Sequence, residues 1–147
     1  MNDRPTALRT LAGLAIVAAA LTVRAAAPAT ATIEKPKPRT VTTGHCRILS
    51  DGTFSGVWGP DALPTLAFTI GPGATMADQM HANKAKFAGP AKYQNEILAV
   101  YLGKTALEDS YGGLGTVIIN SDGHSGTFTT NDGKASGRFD CGTAPSR

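Results

Sequence analysis

The sequence predicts a mainly β domain, either an antiparallel β-sandwich or a strongly twisted sheet of about seven short strands with one short helix. Three observations lead to this prediction. Short apolar stretches recur between glycine-containing turns, only one stretch has helical spacing, and one cysteine lies at each end of the patterned region. We expect Cys46 and Cys141 to form the disulfide that closes this domain.

Glycine turns divide the chain from His45 onward into candidate strands. We expect strands at 46–49, 54–58, 65–70, 93–102, 116–120, 125–130 and 135–141, with a glycine-rich loop around 111–113. The pairs Asp51-Gly52, Asp122-Gly123 and Asp132-Gly133 are typical of hairpin turns, because both residue types tolerate positive φ angles. Calcium binding is the alternative, but it needs about six to eight converging oxygens.

The last candidate strand shows a two-residue alternation. Phe139 and Cys141 fall on one face, and Arg138 and Asp140 fall on the other. This pattern predicts a half-buried strand whose cysteine points inward.

One short helix is expected between Thr75 and Phe87. Thr75 can cap it, Asp78 stands three residues later as in a capping box, and Met76, Met80 and Phe87 share one face. Gly89 and Pro90 would end it. Such an apolar stripe predicts a helix that lies on the sheet.

The first part of the chain resembles a leader. Residues 1–27 combine Arg4 and Arg9, an uncharged stretch at 11–23 and small residues that permit cleavage between about 25 and 31. This pattern favours a secretory signal peptide. The alternative is an uncleaved membrane anchor, which needs about 20 apolar residues, and Arg24 ends the stretch before that length. We therefore expect no membrane span in the mature protein.

Residues 28–43 are expected to form a solvated linker, because they contain Pro28, Pro36 and Pro38 and several threonines. The single β-rich domain would then occupy 44–147. Within this domain acidic and basic residues nearly balance, and the pI near 9.0 comes largely from the leader and from Lys35, Lys37 and Arg39. A clustered basic face is not apparent, which argues against nucleic acid as a partner.

The cysteine spacing favours a structural bridge. An exported protein enters an oxidising compartment, and a pair this far apart in sequence differs from the Cys-x-x-Cys of redox proteins. Closing a loop of about 100 residues stabilises a domain by up to about 4.7 kcal/mol in the chain-entropy model. Two free thiols or a redox pair are the alternatives.

The three histidines of the sequence are candidates for chemistry. His81, with Asp78 three residues earlier, falls short of a zinc ligand set. His124 and Ser125 resemble a Gly-x-Ser-x-Gly motif, but Gly126 is one residue too early, and neighbouring side chains on a strand point to opposite faces. His45 has only Cys46 as a notable neighbour. The sequence thus predicts no catalytic, metal or cofactor residues, and the site residues are the two cysteines.

Other residue types give weaker signals. Glu96, Glu108 and Asp109 are carboxylates that a glycosidase could use, but their context is not distinctive. Four aromatic residues could line a binding surface or pack in the core: Trp58, Tyr93, Tyr101 and Tyr111.

Several stretches of this chain are similar to one family. They are His45-Cys46-Arg47-Ile48, Ser125-Gly126-Thr127-Phe128 and Gly137-Arg138-Phe139-Asp140-Cys141. Together they resemble the small exported actinobacterial domains of the mycobacterial nineteen-kilodalton lipoprotein antigen type. The resemblance implies a disulfide-tied β domain at the cell surface without known catalysis. The chain differs from that family in lacking a cysteine directly after its apolar stretch, so the same lipid attachment is not expected.

These observations predict a non-enzymatic bacterial protein, secreted or associated with the cell wall, that binds an unknown protein or cell-envelope ligand. A small secreted hydrolase built around His124 or His81 is one alternative. A secreted inhibitor that presents a rigid loop, such as Ala106–Gly115, is another.

Overall fold

The described part of the chain is an antiparallel β-sheet of nine strands. The computed structural model describes residues 26–73 and 84–147. The strands are β1 (Thr30–Lys35), β2 (Arg39–Val41), β3 (Gly44–Ile48), β4 (Phe54–Trp58), β5 (Leu66–Ile70), β6 (Lys92–Tyr101), β7 (Ser110–Ile119), β8 (Ser125–Thr130) and β9 (Ser136–Asp140). Their order in the sheet is β2-β1-β9-β8-β7-β6-β5-β4-β3. The antiparallel β class is confirmed, with nine strands in place of about seven.

The sheet curls into a nearly closed barrel because one bent stretch of chain supplies both of its edges. Only Thr42 and Thr43 separate β2 from β3, yet β2 pairs with β1 while β3 pairs with β4 at the opposite edge. Of the two predicted forms, the twisted sheet is therefore closer to the structure than the sandwich, since all nine strands belong to one curved sheet. Hairpins join most neighbouring strands, and the long-range pairing of β1 with β9 completes the wall.

The predicted disulfide is present and holds the closure. Cys46 in β3 is bonded to Cys141, just after β9, with a Cα–Cα distance of 5.6 Å. Nearby, the Ile48 amide donates to the Ser146 carbonyl at 2.8 Å, so the C-terminal tail also contacts β3. The expected alternation in the last strand is confirmed, since Phe139 and Cys141 are buried and Arg138 is exposed.

Aromatic side chains fill the barrel. Phe68, Trp58 and Phe139 pack against one another, with ring centroids 4.9 to 5.5 Å apart. The indole Nε1 of Trp58 donates to the Asp140 carbonyl at 3.2 Å, which gives the buried polar edge of this ring a partner. This bond joins residues from nearly opposite ends of the domain sequence.

The predicted linker at 28–43 is wrong, because most of it belongs to the barrel. Ala31 and Ile33 in β1 are buried and pair with Phe139 and Gly137 of β9. The prolines lie outside the strands, where a missing amide costs no ladder hydrogen bond. Threonines alternate with these apolar residues and suit the outer face of a strand.

The predicted helix falls largely outside the described residues, which exclude 74–83. Its last part is described and is not helical, so the prediction is wrong for residues 84–87. There the backbone amide of Phe87 donates to the Gly52 carbonyl at 3.0 Å, and the ring packs 4.8 Å from Phe54. Tertiary contacts with the β3–β4 turn hold this segment.

Candidate binding loop

The chain between β6 and β7, together with the first residue of β7, projects from one end of the barrel, and we name it the 103–110 loop. Residues 104–110 are all exposed. Leu107 at the tip of this loop is 96 % exposed, whereas Ile118, the other exposed large apolar residue of the described chain, is 40 % exposed. A leucine that remains almost entirely in water forgoes about 2 kcal/mol that burial would supply. That free energy is available to a partner with an apolar pocket.

Backbone hydrogen bonds brace this loop at its base and at its tip. The Leu102 amide donates to the Asp109 carbonyl at 3.0 Å, and the Glu108 amide donates to the Thr105 carbonyl at 3.2 Å. The second bond closes a four-residue turn that carries Leu107. A side-chain contact adds to the turn, because the Lys104 amide donates to Glu108 Oε2 at 3.4 Å.

An ion pair ties the loop to a distant part of the chain. Lys37 Nζ, in the turn between β1 and β2, lies 3.0 Å from Asp109 Oδ2. Both side chains are substantially exposed, so the pair contributes about 0.2–1 kcal/mol at most. It links the loop to the turn between β1 and β2. A loop ordered in advance loses less conformational entropy when it binds.

The loop corresponds only in part to the segment suggested for an inhibitor. Residues 110–115 of that segment lie in β7, including the glycines expected to form a loop around 111–113. The remaining residues form a turn and are not extended. The exposed and braced part of that segment is therefore limited to residues 106–109.

The arrangement around His124 and Ser125 differs from that of a hydrolase. The Ser125 hydroxyl donates to the Asp122 carboxylate and accepts from Asn120 Nδ2 at 3.0 Å. His124 Nδ1 lies 3.2 Å from Asp140 Oδ1. Among the described residues no hydrogen bond joins the His124 ring to Ser125, so the base and the nucleophile are not paired.

The three Asp-Gly turns are confirmed as hairpin turns in which the carboxylate accepts backbone amides. Asp51 accepts from the Thr53 amide at 2.8 Å, and Asp132 accepts from the Lys134 amide at 2.9 Å. These amides are the main reason that the pKa of each carboxyl is lowered. The glycines that follow have φ angles of 84°, 79° and 70°.

Asp122 is the most strongly perturbed of these three. The Ser125 hydroxyl, followed by the His124 amide at 2.9 Å, lowers the pKa of Asp122 to about 2. The carboxylate oxygens of Asp122 therefore accept hydrogen bonds from within the turn.

The remaining candidates are dispersed. His81 lies outside the described residues, and His45 lies on β3 next to the disulfide. Glu96 is buried in the barrel, where it pairs with Lys84 Nζ at 3.0 Å and accepts from the Gly71 amide at 3.3 Å. Glu108 belongs to the 103–110 loop. Within 26–73 and 84–147, no three metal-ligating side chains cluster.

The aromatic residues divide between core and wall. Trp58 is fully buried, while Tyr93 and Tyr111 are partly buried against the core. Tyr93 donates to the Gly89 carbonyl at 2.7 Å and so holds the segment before β6. None of these three projects as Leu107 does. Sequence reasoning did not single out Leu107, and the only local signal is one large apolar residue between Lys104 and Glu108 in a loop.

The fold and the loop define a class: a small, disulfide-linked antiparallel β-barrel that presents a braced apolar tip. Comparison with known proteins returned no matching family model, no matching curated protein and no matching solved structure. The described residues also include no helix of the length and apolarity needed to cross a membrane.

Proposed function

We propose that this protein is a secreted, non-enzymatic binding module that docks to a partner protein through the 103–110 loop. The observation that carries the proposal is Leu107, which is 96 % exposed on a loop that hydrogen bonds and an ion pair hold in place. Insertion of this side chain into an apolar pocket is the contact we expect at the centre of the interface.

The disulfide supports the secreted location, because such bonds persist in oxidising compartments. The position of β1 restricts the range in which signal-peptide cleavage is expected. Ala29 and Ala31 are both buried in the barrel, so cleavage after Ala31 would remove the first residues of β1. Cleavage between 25 and 27 would leave the strand complete.

A capture experiment tests the proposal. The disulfide-bonded protein, immobilised, is incubated with cell-envelope and culture fractions of the producing organism, beside Leu107→Asp and the control Thr127→Asp. Thr127 is exposed on the outer face of β8, away from the loop. We expect one partner to be retained by the parent protein and by the control, and to be lost with Leu107→Asp.

The strength of the effect follows from the buried area. Losing the burial of one leucine costs about 2 kcal/mol, so Leu107→Ala should raise the Kd for the captured partner roughly 30-fold. Calorimetry with the purified partner measures this ratio. Equal binding by Leu107→Asp and the parent protein, or capture of no partner at all, would contradict the proposal.

A further inference from the structure

A slot opens in the barrel wall where β1 and β3 fail to pair. In the antiparallel β1–β2 pair, Ala31 lies opposite Val41. If this register continued beyond the two strands, the residues just before β1 would lie beside β3. The two backbones separate instead and leave a space of about 380 Å³. This edge slot is lined by residues 27–29 and 44–46, by Cys141, and by Thr143, Ala144 and Ser146 of the tail.

The β3 side of the edge slot carries main-chain hydrogen-bonding groups. In the β3–β4 hairpin, the Leu49 amide donates to the Thr53 carbonyl and the Gly59 amide donates to the Thr43 carbonyl. These two bonds show which residues of β3 form hydrogen bonds to β4. Since the bonding direction alternates along an antiparallel strand, the amides of Gly44, Cys46 and Ile48 face away from β4.

Within 26–73 and 84–147, the last of these amides alone has a partner on that side. Ile48 donates to the Ser146 carbonyl at 2.8 Å, whereas no acceptor for the Gly44 and Cys46 amides is found among the described residues. Gly44 is exposed and Cys46 is 8 % exposed as a residue, and the amides of both face the edge slot. Amides on the unpaired side of an edge strand are available to pair with another extended chain.

The lining of the edge slot restricts what can enter it. Apart from His45, the side chains are small and carry no ionisable group, which disfavours anions and metal ions. Alanine, glycine, serine and threonine on its walls leave room for side chains of similar size. Amides on a strand edge are complementary to the carbonyls of another extended chain.

We propose that the edge slot binds an extended peptide segment with small, uncharged side chains, which adds to the barrel as a short strand beside Gly44–Cys46. The peptide carbonyls would accept from the Gly44 and Cys46 amides and extend the pairing that Ser146 begins. This site is separate from the 103–110 loop, so it does not depend on the function proposed above.

Peptide titration followed by NMR tests the edge slot. The ¹⁵N-labelled, disulfide-bonded protein is titrated with the capped pentapeptide acetyl-Ala-Thr-Ala-Thr-Ala-amide and with the same peptide N-methylated at alternate amides. We expect saturable shifts of the Gly44 and Cys46 amides, and slower hydrogen exchange of both, with the first peptide only. Leu107→Asp should bind this peptide as the parent protein does.

A slot-filling variant supplies the matched control. Ala144→Trp places a large ring at the exposed rim of the edge slot, and we expect it to weaken peptide binding at least about tenfold. Lys134→Trp, in the exposed β8–β9 turn, should bind normally.

Three results would overturn the proposal: no saturable shift at Gly44 and Cys46, equal shifts with the methylated peptide, or sedimentation that shows a dimer which Ala144→Trp dissociates. The last result would make a second copy of the chain the occupant.

Discussion

At the residue scale, the most consistent feature of this molecule is the aspartate in each of the three Asp-Gly hairpin turns. Asp51, Asp122 and Asp132 each accept the amide two residues ahead, and each precedes a glycine with positive φ. The carboxylate satisfies an amide that the tight turn would otherwise leave unpaired. These contacts are local in sequence, which explains why the turns could be predicted from residue types alone.

The perturbed carboxyl of Asp122 predicts a specific pH dependence. Its pKa in the folded protein is about 2, below the ordinary value of about 3.9. The stabilisation is therefore present above the ordinary pKa and is lost as the pH falls from about 4 to 2. Asp122→Asn keeps an acceptor for the turn but removes this titration, so its stability should decline less over that range.

Urea unfolding at pH 6, 4, 3 and 2 measures this difference. Asp61→Asn is the control, since Asp61 is exposed and accepts no hydrogen bond among the described residues. Parallel pH profiles for Asp122→Asn and the parent protein would show that Asp122 does not contribute to acid stability.

At the scale of elements, local pattern predicted strands well where a tight hairpin bounds them. The expected bounds of β4 and β8 agree with the structure. The start of β7 was missed, because Gly112 and Gly113 resemble a loop in sequence. Both are paired with β6, opposite Ala99 and Leu98. Glycine is required at one of them for close backbone approach, which only the neighbouring strand reveals.

These two glycines make a matched pair for mutation. Both have positive φ, at 137° and 110°, so alanine strains either position by about 1–3 kcal/mol. At Gly112 the added Cβ would also lie 2.1 Å from the Leu98 carbonyl oxygen, whereas at Gly113 nothing lies within 4 Å. We expect Gly112→Ala to cost about 2 kcal/mol more stability than Gly113→Ala.

Denaturant titration of the two variants provides the measurement. Equal losses of unfolding free energy in the two variants would mean that β6 and β7 can separate slightly at Gly112 without penalty. That result would contradict the close pairing of Gly112 with β6.

At the scale of the whole molecule, closure depends on contacts between the two ends of the sequence. β1 is an interior strand of the sheet, next to the β2 edge, and it pairs with β9 on one side and with β2 on the other. The disulfide and the bond from Trp58 to the Asp140 carbonyl join the β3–β4 edge to the end of β9. The barrel therefore includes the segment from Ala29 onward.

This arrangement predicts where the chain can be truncated. A chain that begins at residue 26 should fold, because it retains β1 complete. A chain that begins at residue 44, the domain start expected from sequence, should not fold stably. It lacks Ala31 and Ile33 and exposes the edge of β9.

Near-ultraviolet circular dichroism of both purified chains, with the disulfide formed, distinguishes these outcomes. A native-like spectrum and a cooperative unfolding transition from the shorter chain would show that β1 is dispensable.

The sequence by itself determined the β class, the three aspartate turns, the inward face of the last strand and the pairing of Cys46 with Cys141. These features depend on neighbours along the chain or on residue types with few alternatives. Only the tertiary structure decided that the proline-rich segment supplies β1 and β2, that the sheet closes into a barrel, and that Leu107 stays in water. Strand order and exposure are set by contacts between residues far apart in sequence. The residue type of a single leucine therefore does not show whether its side chain is buried or exposed.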